Sequence, residues 1–231
     1  TYTGQTWVAQ GTLTMGAANT NLTALLVNSG ATYQTGAFNQ IVGSLAGSGT
    51  VTISSTYTLQ AGADSTTTEF NGTFTGSLVK KGSGTLTLGG ASNNTGTATV
   101  DAGTLVLNKA SGSSDINAVA GLTINAGGTV TISGAGAGQI ANAASVVVNL
   151  SALLDLNGHD LKFNQLTGLG TITNTLAGTT STLAIGYSSA TFSFGGVATD
   201  GVANGGTPGG KLGLTKLGTG TLTLTAIQSY T

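Results

Sequence analysis

The sequence predicts an all-β protein folded as a right-handed parallel β-helix, a solenoid of short stacked strands. Three observations carry that expectation. A five-residue strand unit recurs along the chain, a tight turn unit recurs between strands, and threonine and serine stand where most surfaces carry charge. Charged residues are 6% of the 231, against the roughly 25% usual for soluble domains. Apolar residues reach 39% and recur in order, which separates the chain from disordered low-complexity segments.

The strand unit is glycine, threonine, then alternating apolar and polar residues. It reads Gly11-Thr-Leu-Thr-Met15, Gly49-Thr-Val-Thr-Ile53, Gly84-Thr-Leu-Thr-Leu88 and Gly103-Thr-Leu-Val-Leu107. It returns as Gly128-Thr-Val-Thr-Ile132, Gly170-Thr-Ile-Thr173 and Gly220-Thr-Leu-Thr-Leu224. Alternation puts Leu86 and Leu88 on one face and Thr85 and Thr87 on the other, and β-branched threonine favours strands. The leading glycine can take the positive φ that a corner needs.

The turn unit is asparagine or aspartate, a small residue and glycine. Val27-Asn-Ser-Gly-Ala31, Val100-Asp-Ala-Gly-Thr104 and Ile124-Asn-Ala-Gly-Gly128 show it, and Val148-Asn-Leu-Ser-Ala152 is a copy without the glycine. No segment has the 3.6-residue period of an amphipathic helix. The alanine-rich stretch from Gly138 to Val148 reads as a loop or one helical turn.

Longer blocks repeat too. Leu22 to Ile53 and Ala144 to Asn174 follow one plan of strand, turn and strand. Leu78-Val-Lys-Lys-Gly-Ser-Gly-Thr-Leu-Thr-Leu88 returns as Leu214-Thr-Lys-Leu-Gly-Thr-Gly-Thr-Leu-Thr-Leu224, which makes Leu86 and Leu222 equivalent. Tyr2-Thr-Gly4 begins the unit that Asn94-Thr-Gly96 begins. The offset from Leu86 to Leu222 also carries Thr95 onto Thr231, so the chain starts and stops at equivalent points.

Short strands with such turns also fit a sandwich, a propeller or an up-and-down barrel. Tight, regular turns and repeats that differ in length by whole loops favour a solenoid, whose coils contact only their neighbours. At roughly 20–25 residues per coil, about ten coils stacked about 4.8 Å apart give a rod on the order of 50 Å. The whole span 1–231 reads as a single β-helix domain, a segment of a longer repeat array or filament.

The block from Leu78 to Leu107 resembles the passenger-associated β-strand repeat of autotransporters. That repeat runs lysine, Gly-x-Gly-Thr-Leu-x-Leu, Asn-x-Tyr-Thr-Gly, valine and Asn-Ala-Gly-Thr-Leu. Lys216 to Leu224 with Ser229-Tyr-Thr231, and Tyr2-Thr-Gly4 through Gly11-Thr-Leu13, resemble its two halves. Ala152-Leu-Leu-Asp-Leu-Asn-Gly158 followed by Gly168-Leu-Gly-Thr171 is similar to the segments that link such repeats. Tyr57 to Phe74 and Ile185 to Gly210 depart from the pattern. The resemblance implies a right-handed parallel β-helix displayed outside a bacterial cell. It implies no activity, because adhesins, enzymes and large surface proteins share the scaffold.

Composition excludes several functions. Six lysines, no arginine and a net charge of −1 leave only Lys80 and Lys81 adjacent, too little positive charge for nucleic acid. Cysteine is absent, which excludes disulfides and thiolate metal sites and suits passage through an oxidising periplasm. No apolar run approaches the roughly 20 residues that span a bilayer, so direct membrane insertion by this segment is not expected. Thr1 to Gly11 lacks the pattern of a signal peptide.

The side chains that could carry chemistry are few. His159, the sole histidine, sits in Asp155-Leu-Asn-Gly-His-Asp160, with Ser151 and Ser181 as remote serines, and no Gly-x-Ser-x-Gly elbow occurs. Asp155 and Asp160 are the nearest carboxylate pair, but they flank an Asn157-Gly158 turn without an arginine to orient a sugar. Asp64 and Glu69 read as a solvated loop rather than a cation site. Gly134 to Gly138 lacks the lysine of a phosphate loop. Trp7, Tyr33, Tyr57 and Tyr187 read as core or corner aromatics, with a sugar-binding or self-association face as the alternative.

No catalytic, cofactor-binding or metal-ligating residues are therefore assigned, no cofactor is expected, and the chain reads as a non-enzyme. The expected function is an extracellular or bacterial cell-surface scaffold, a stalk or fibre-forming β-helix that self-associates head to tail. The alternative is an adhesin passenger segment that binds a cell-surface or glycan ligand through inserted loops at Ala61 to Gly72 and Gly195 to Gly210.

Overall fold

The computed structural model describes residues 3–20, 22–91, 93–110, 117–135, 138–202 and 207–230, and every regular element among them is a β-strand. Ten strands stack in the longest sheet. They run from Thr6–Val8 through Leu25–Val27, Leu45–Gly47, Thr68–Phe70, Thr85–Leu88, Gly103–Leu107, Gly128–Ile132, Leu153–Asp155 and Thr171–Asn174 to Val197–Asp200. A nine-stranded sheet runs from Gln40–Ile41 to Leu222–Leu224. The chain passes from the first sheet to the second across a third face. That face holds a four-stranded sheet from Thr12–Thr14 to Thr73–Thr75 and a three-stranded sheet of Leu161–Phe163, Thr180–Ile185 and Lys211–Lys216.

Neighbouring strands pair in parallel, each with the equivalent strand of the next coil. Coils differ in length: the one that carries Thr68 onto Leu86 is short, and the one that carries Thr171 onto Val197 is much longer. The fold is thus a parallel β-solenoid, and ten strands at about 4.8 Å give it a length of roughly 45 Å.

Strand alternation builds the core. Leu86, Leu105, Val130, Leu154, Ile172 and Ala198 stand in register in successive coils and are all buried. Phe70, Leu88, Leu107 and Ile132 form a parallel ladder beside them. Each buried Leu or Ile contributes about 1.5–3 kcal/mol by leaving water. Outward positions carry the polar skin: Thr12, Thr32, Thr50 and Thr73 form one row across the four-stranded sheet.

The third face is irregular in the middle coils, and buried polar side chains take over its backbone pairing there. The Asn94 carboxamide accepts from the Phe74 amide (3.0 Å) and donates to the Ala118 carbonyl (3.0 Å). Gln139 accepts from the Lys109 amide (2.8 Å) and donates to the Lys109 carbonyl (3.0 Å). At the beginning of the nine-stranded sheet, Gln40 likewise accepts from the Asn19 amide and donates to the carbonyls of Ala17 and Thr35. A buried amide or carbonyl without a partner costs about 1–3 kcal/mol, which is why these interior positions are polar.

One expectation changes. The segments 61–72 and 195–210 are not loose insertions, because each supplies a strand, Thr68–Phe70 and Val197–Asp200, to the ten-stranded sheet. They lack the glycine-threonine signature, but Phe70 and Ala198 still fill the inward positions. Residues 203–206, inside the second segment, lie outside the described residues. The recurring strand unit is found on all three faces. It lies on the ten-stranded sheet at Thr85–Leu88, on the third face at Thr12–Thr14 and on the nine-stranded sheet at Leu222–Leu224. The stretch from Gly138 to Val148, as expected of a loop, turns at 142–143 and then enters strand Ser145–Val148; residues 136–137 before it are not described.

Candidate functional site

The polar chemistry of this solenoid is concentrated at its corners, beginning with the turn unit. Ala31, Gly128 and Ala152 each donate an amide hydrogen to the carbonyl three residues back, on Asn28, Asn125 and Asn149 (2.9–3.0 Å). The third residue of each turn has positive φ: Gly30 at 78°, Gly127 at 84° and Ser151 at 64°. Ser151 therefore adopts the left-handed conformation that the glycine of the other copies adopts without a Cβ.

Turn residues of successive coils also bond to one another. Asn149 donates to the Asn125 Oδ1 (2.8 Å) and Asn125 donates to the Asp101 Oδ1 (2.6 Å). Lys81 caps the row as an ion pair with Asp101. Burial pushes the Asp101 carboxyl up, but the hydrogen bonds from Lys81 and Asn125 and the Lys81 charge outweigh it and hold the group below its usual range. The row ties four coils together along one edge. Both partners of the ion pair are partly exposed, so the pair itself is worth no more than about 1 kcal/mol.

A second device uses lysine as a corner clasp. Lys80 points inward at the end of strand Ser77–Lys80 and is 1% exposed. Its Nζ donates to the carbonyls of Lys81 (2.6 Å) and Gly82 (2.9 Å) in its own corner and of Ala102 (3.3 Å) in the next coil. Desolvation lowers its pKa, against a smaller opposing effect of the Asp64 charge. Lys216, its counterpart one long repeat later, renews the clasp by donating to the carbonyls of Leu217 and Gly218. Lys109 is the most deeply buried cation, 0% exposed, with Nζ donating to the Gly72 carbonyl (3.1 Å). Burial lowers its pKa to about 8.

The sequence-derived candidates resolve into structural roles. Asp155 is buried and accepts from the amides of Asn157 (2.9 Å) and Thr175 (3.0 Å) and from the Thr175 hydroxyl (2.6 Å). Asp160 is exposed and accepts from the Thr182 amide of the next coil (2.7 Å). Both carboxylates thus pin one coil to the next. The His159 amide closes a turn on Leu156, Ser181 lies within a strand and is buried, and Ser151 is an exposed corner residue. Asp64 accepts from the Thr66 amide and hydroxyl, while Glu69 faces solvent from its strand. Among the described residues no group of three or more His, Cys, Asp or Glu side chains forms a metal site, and no helix is long and apolar enough to cross a membrane.

The aromatics divide. Tyr33 is a core residue, whereas Trp7 is 62% exposed and donates its indole N–H to Asn28 (3.1 Å). Tyr187 stands at a corner with the Lys162 ammonium 4.9 Å from its ring centre, beside a shallow groove also lined by Asn164 and Ser188. The inward lysines escape sequence reasoning because lysine is ordinarily a surface residue. The available signal is position: Lys80 and Lys216 occupy the inward phase of their strands.

Comparison with protein families identifies the passenger-associated-transport-repeat at residues 1–15, 78–107 and 214–231. These are the segments that carry the lysine clasps at Lys80 and Lys216 and the corner at Gly103. No curated protein and no solved structure matches the chain. The chain is a parallel β-solenoid in which three segments match the passenger-associated-transport-repeat.

Proposed function

We propose that this chain is a non-catalytic extracellular scaffold, a stalk- or fibre-forming solenoid segment whose coils stack end to end with those of a second copy. The observation that carries the reading is the unbroken stack: the strands pair in parallel with their equivalents in neighbouring coils, along ladders filled by buried apolar side chains. Edges of a parallel stack template further strand pairing, and a heterologous contact between copies builds open fibres.

A non-catalytic role is supported by the use of Asp155 and Asp160 in holding coils together and by the place of His159 in closing its own turn. An extracellular or bacterial cell-surface setting follows the repeat family, which implies a secreted or surface-displayed protein. Sedimentation velocity over a wide concentration range tests association. Species that grow with concentration are expected, and a single slow species at every concentration would contradict the reading.

A further inference from the structure

We propose that the solenoid carries a binding groove for a linear, uncharged saccharide chain, running from the outer side of the nine-stranded sheet to the corner at Tyr187. The site does not depend on association between copies.

Two hollows make the groove. One, of about 430 Å³, opens on the outer side of strands Thr97–Val100, Gly121–Ile124 and Ser145–Val148. The other, of about 360 Å³, lies against Asn142, Asn164, Tyr187 and Ser188. Ala143 lines both, so they are continuous. From the strand of Thr97 to Phe192–Phe194, just beyond Ser188, the stack takes four steps, about 19 Å at about 4.8 Å each. Coils cover both flanks. Strand Ser77–Lys80 pairs with Thr97–Val100, and the corner at Gly218 packs against the backbone of Gly186 to Ser188. The groove therefore opens on the side of the stack, away from its ends.

A missing side chain makes the deeper part. One outward row of the nine-stranded sheet reads Thr58, Ser77, Thr97, Gly121, Ser145 and Gln165. Gly121 is the gap in that row. Neither backbone nor crowding requires glycine there: its φ is not positive, and a Cβ would meet only the Thr97 side chain at 3.3 Å and the Ser145 carbonyl at 3.9 Å. At Gly128 and Gly96 the same Cβ would sit 2.7 Å from the Val100 carbonyl and 2.3 Å from the Phe74 ring. A glycine inside a strand weakens it and lets a ligand approach closely, so position 121 gives up stability for space.

The lining fits a neutral sugar. Among the described residues no charged side chain lines either hollow. Asn164 accepts from the Ser188 amide through Oδ1 (3.0 Å), which leaves its Nδ2 hydrogens to donate to a ligand. The Ser188 Oγ accepts from the Ala190 amide (3.2 Å) and keeps its own hydrogen to donate. Thr99 and Thr123 stand side by side along the floor. Tyr187 is 39% exposed at the rim, and the Lys162 ammonium over its ring steadies it. A pyranose ring matches this set: its C–H face lies on an aromatic ring, and its hydroxyls bond amides and hydroxyls. A uronate would lose water against a lining that offers no cation. An extended peptide would find no free strand edge, because these strands pair on both sides.

Amide chemical-shift titration tests the site, with neutral linear oligosaccharides (glucan, mannan and N-acetylglucosamine chains) beside an oligouronate and a short extended peptide. A neutral chain is expected to shift the amides of Ala120, Gly121 and Ser188. Tyr187→Ala is expected to weaken that binding about tenfold, and Tyr187→Phe to keep it. Gly121→Thr fills the gap and is expected to abolish binding while holding or raising the thermal midpoint. Gly213→Thr, the same change at an uncrowded strand position on the third face, is expected to leave binding unchanged. No shift with any neutral chain, binding of the oligouronate or the peptide alone, or binding that survives Gly121→Thr overturns the site.

Discussion

Lys109 offers the sharpest test of how this core is held. Its ammonium is fully buried against one carbonyl, that of Gly72, and its pKa falls from 10.5 to about 8 because burial disfavours the charge. That gap corresponds to about 3 kcal/mol that the charged form costs the fold at pH below 8. Between pH 8 and 10.5 the unfolded chain binds the proton that the folded chain has released, so stability rises with pH through this window. From pH 7 to pH 10 the gain from this one group is about 2.5 kcal/mol. Lys109→Met removes the titration, and at pH 7 it also removes the burial cost. Against that, it leaves the Gly72 carbonyl unpaired, at about 1–3 kcal/mol. The net change at pH 7 is therefore small, and the informative quantity is the slope. Urea unfolding of parent and variant at pH 7 and pH 10 measures it, with the variant cancelling the titration of every other group. A variant whose pH dependence equals the parent's would refute a neutralising buried Lys109.

Three further predictions rest on the corners and ladders. Ser151→Gly relieves a non-glycine residue at φ 64° and is expected to stabilise the chain by about 0.5–1 kcal/mol in thermal unfolding; a loss would show that the Ser151 side chain contributes more than the strain removes. Gly47→Ala places a Cβ against the Val27 carbonyl oxygen at φ 108°, whereas Gly30→Ala at φ 78° meets open space, so the first is expected to cost several-fold more in urea midpoint than the second. Leu105→Ala is expected to cost about 2–5 kcal/mol and Thr104→Ala less than about 1, measured by denaturant unfolding. Equal costs would contradict the assigned inward and outward faces.

Much of the fold is legible in the residues because strand alternation and turn chemistry act locally. Leu86 and Leu88 face inward, as the pattern Thr85-Leu-Thr-Leu88 requires, and the Asn28, Asn125 and Asn149 turns close where the turn unit places them. Which face a strand joins is not local. It depends on how much chain each preceding corner consumes, and that varies from the short coil between Thr68 and Leu86 to the long one between Thr171 and Val197. The long repeat therefore moves by one face: Ser77–Lys80 is on the nine-stranded sheet, but its counterpart Lys211–Lys216 is on the third face. The two segments that read as insertions are strands because stacking, too, is not local. Thr68–Phe70 has only one inward anchor, Phe70, and its neighbours in the stack supply the rest of its pairing. The inward lysines are hidden by residue type, since their acceptors are backbone carbonyls that no sequence pattern displays.

The central claim is that this solenoid is a structural unit that continues from copy to copy, and negative-stain electron microscopy over a concentration series tests it most directly. Long unbranched fibres of uniform width, lengthening with concentration, are the predicted result. Isolated rods of roughly 45 Å at every concentration, the length of one chain, would contradict it.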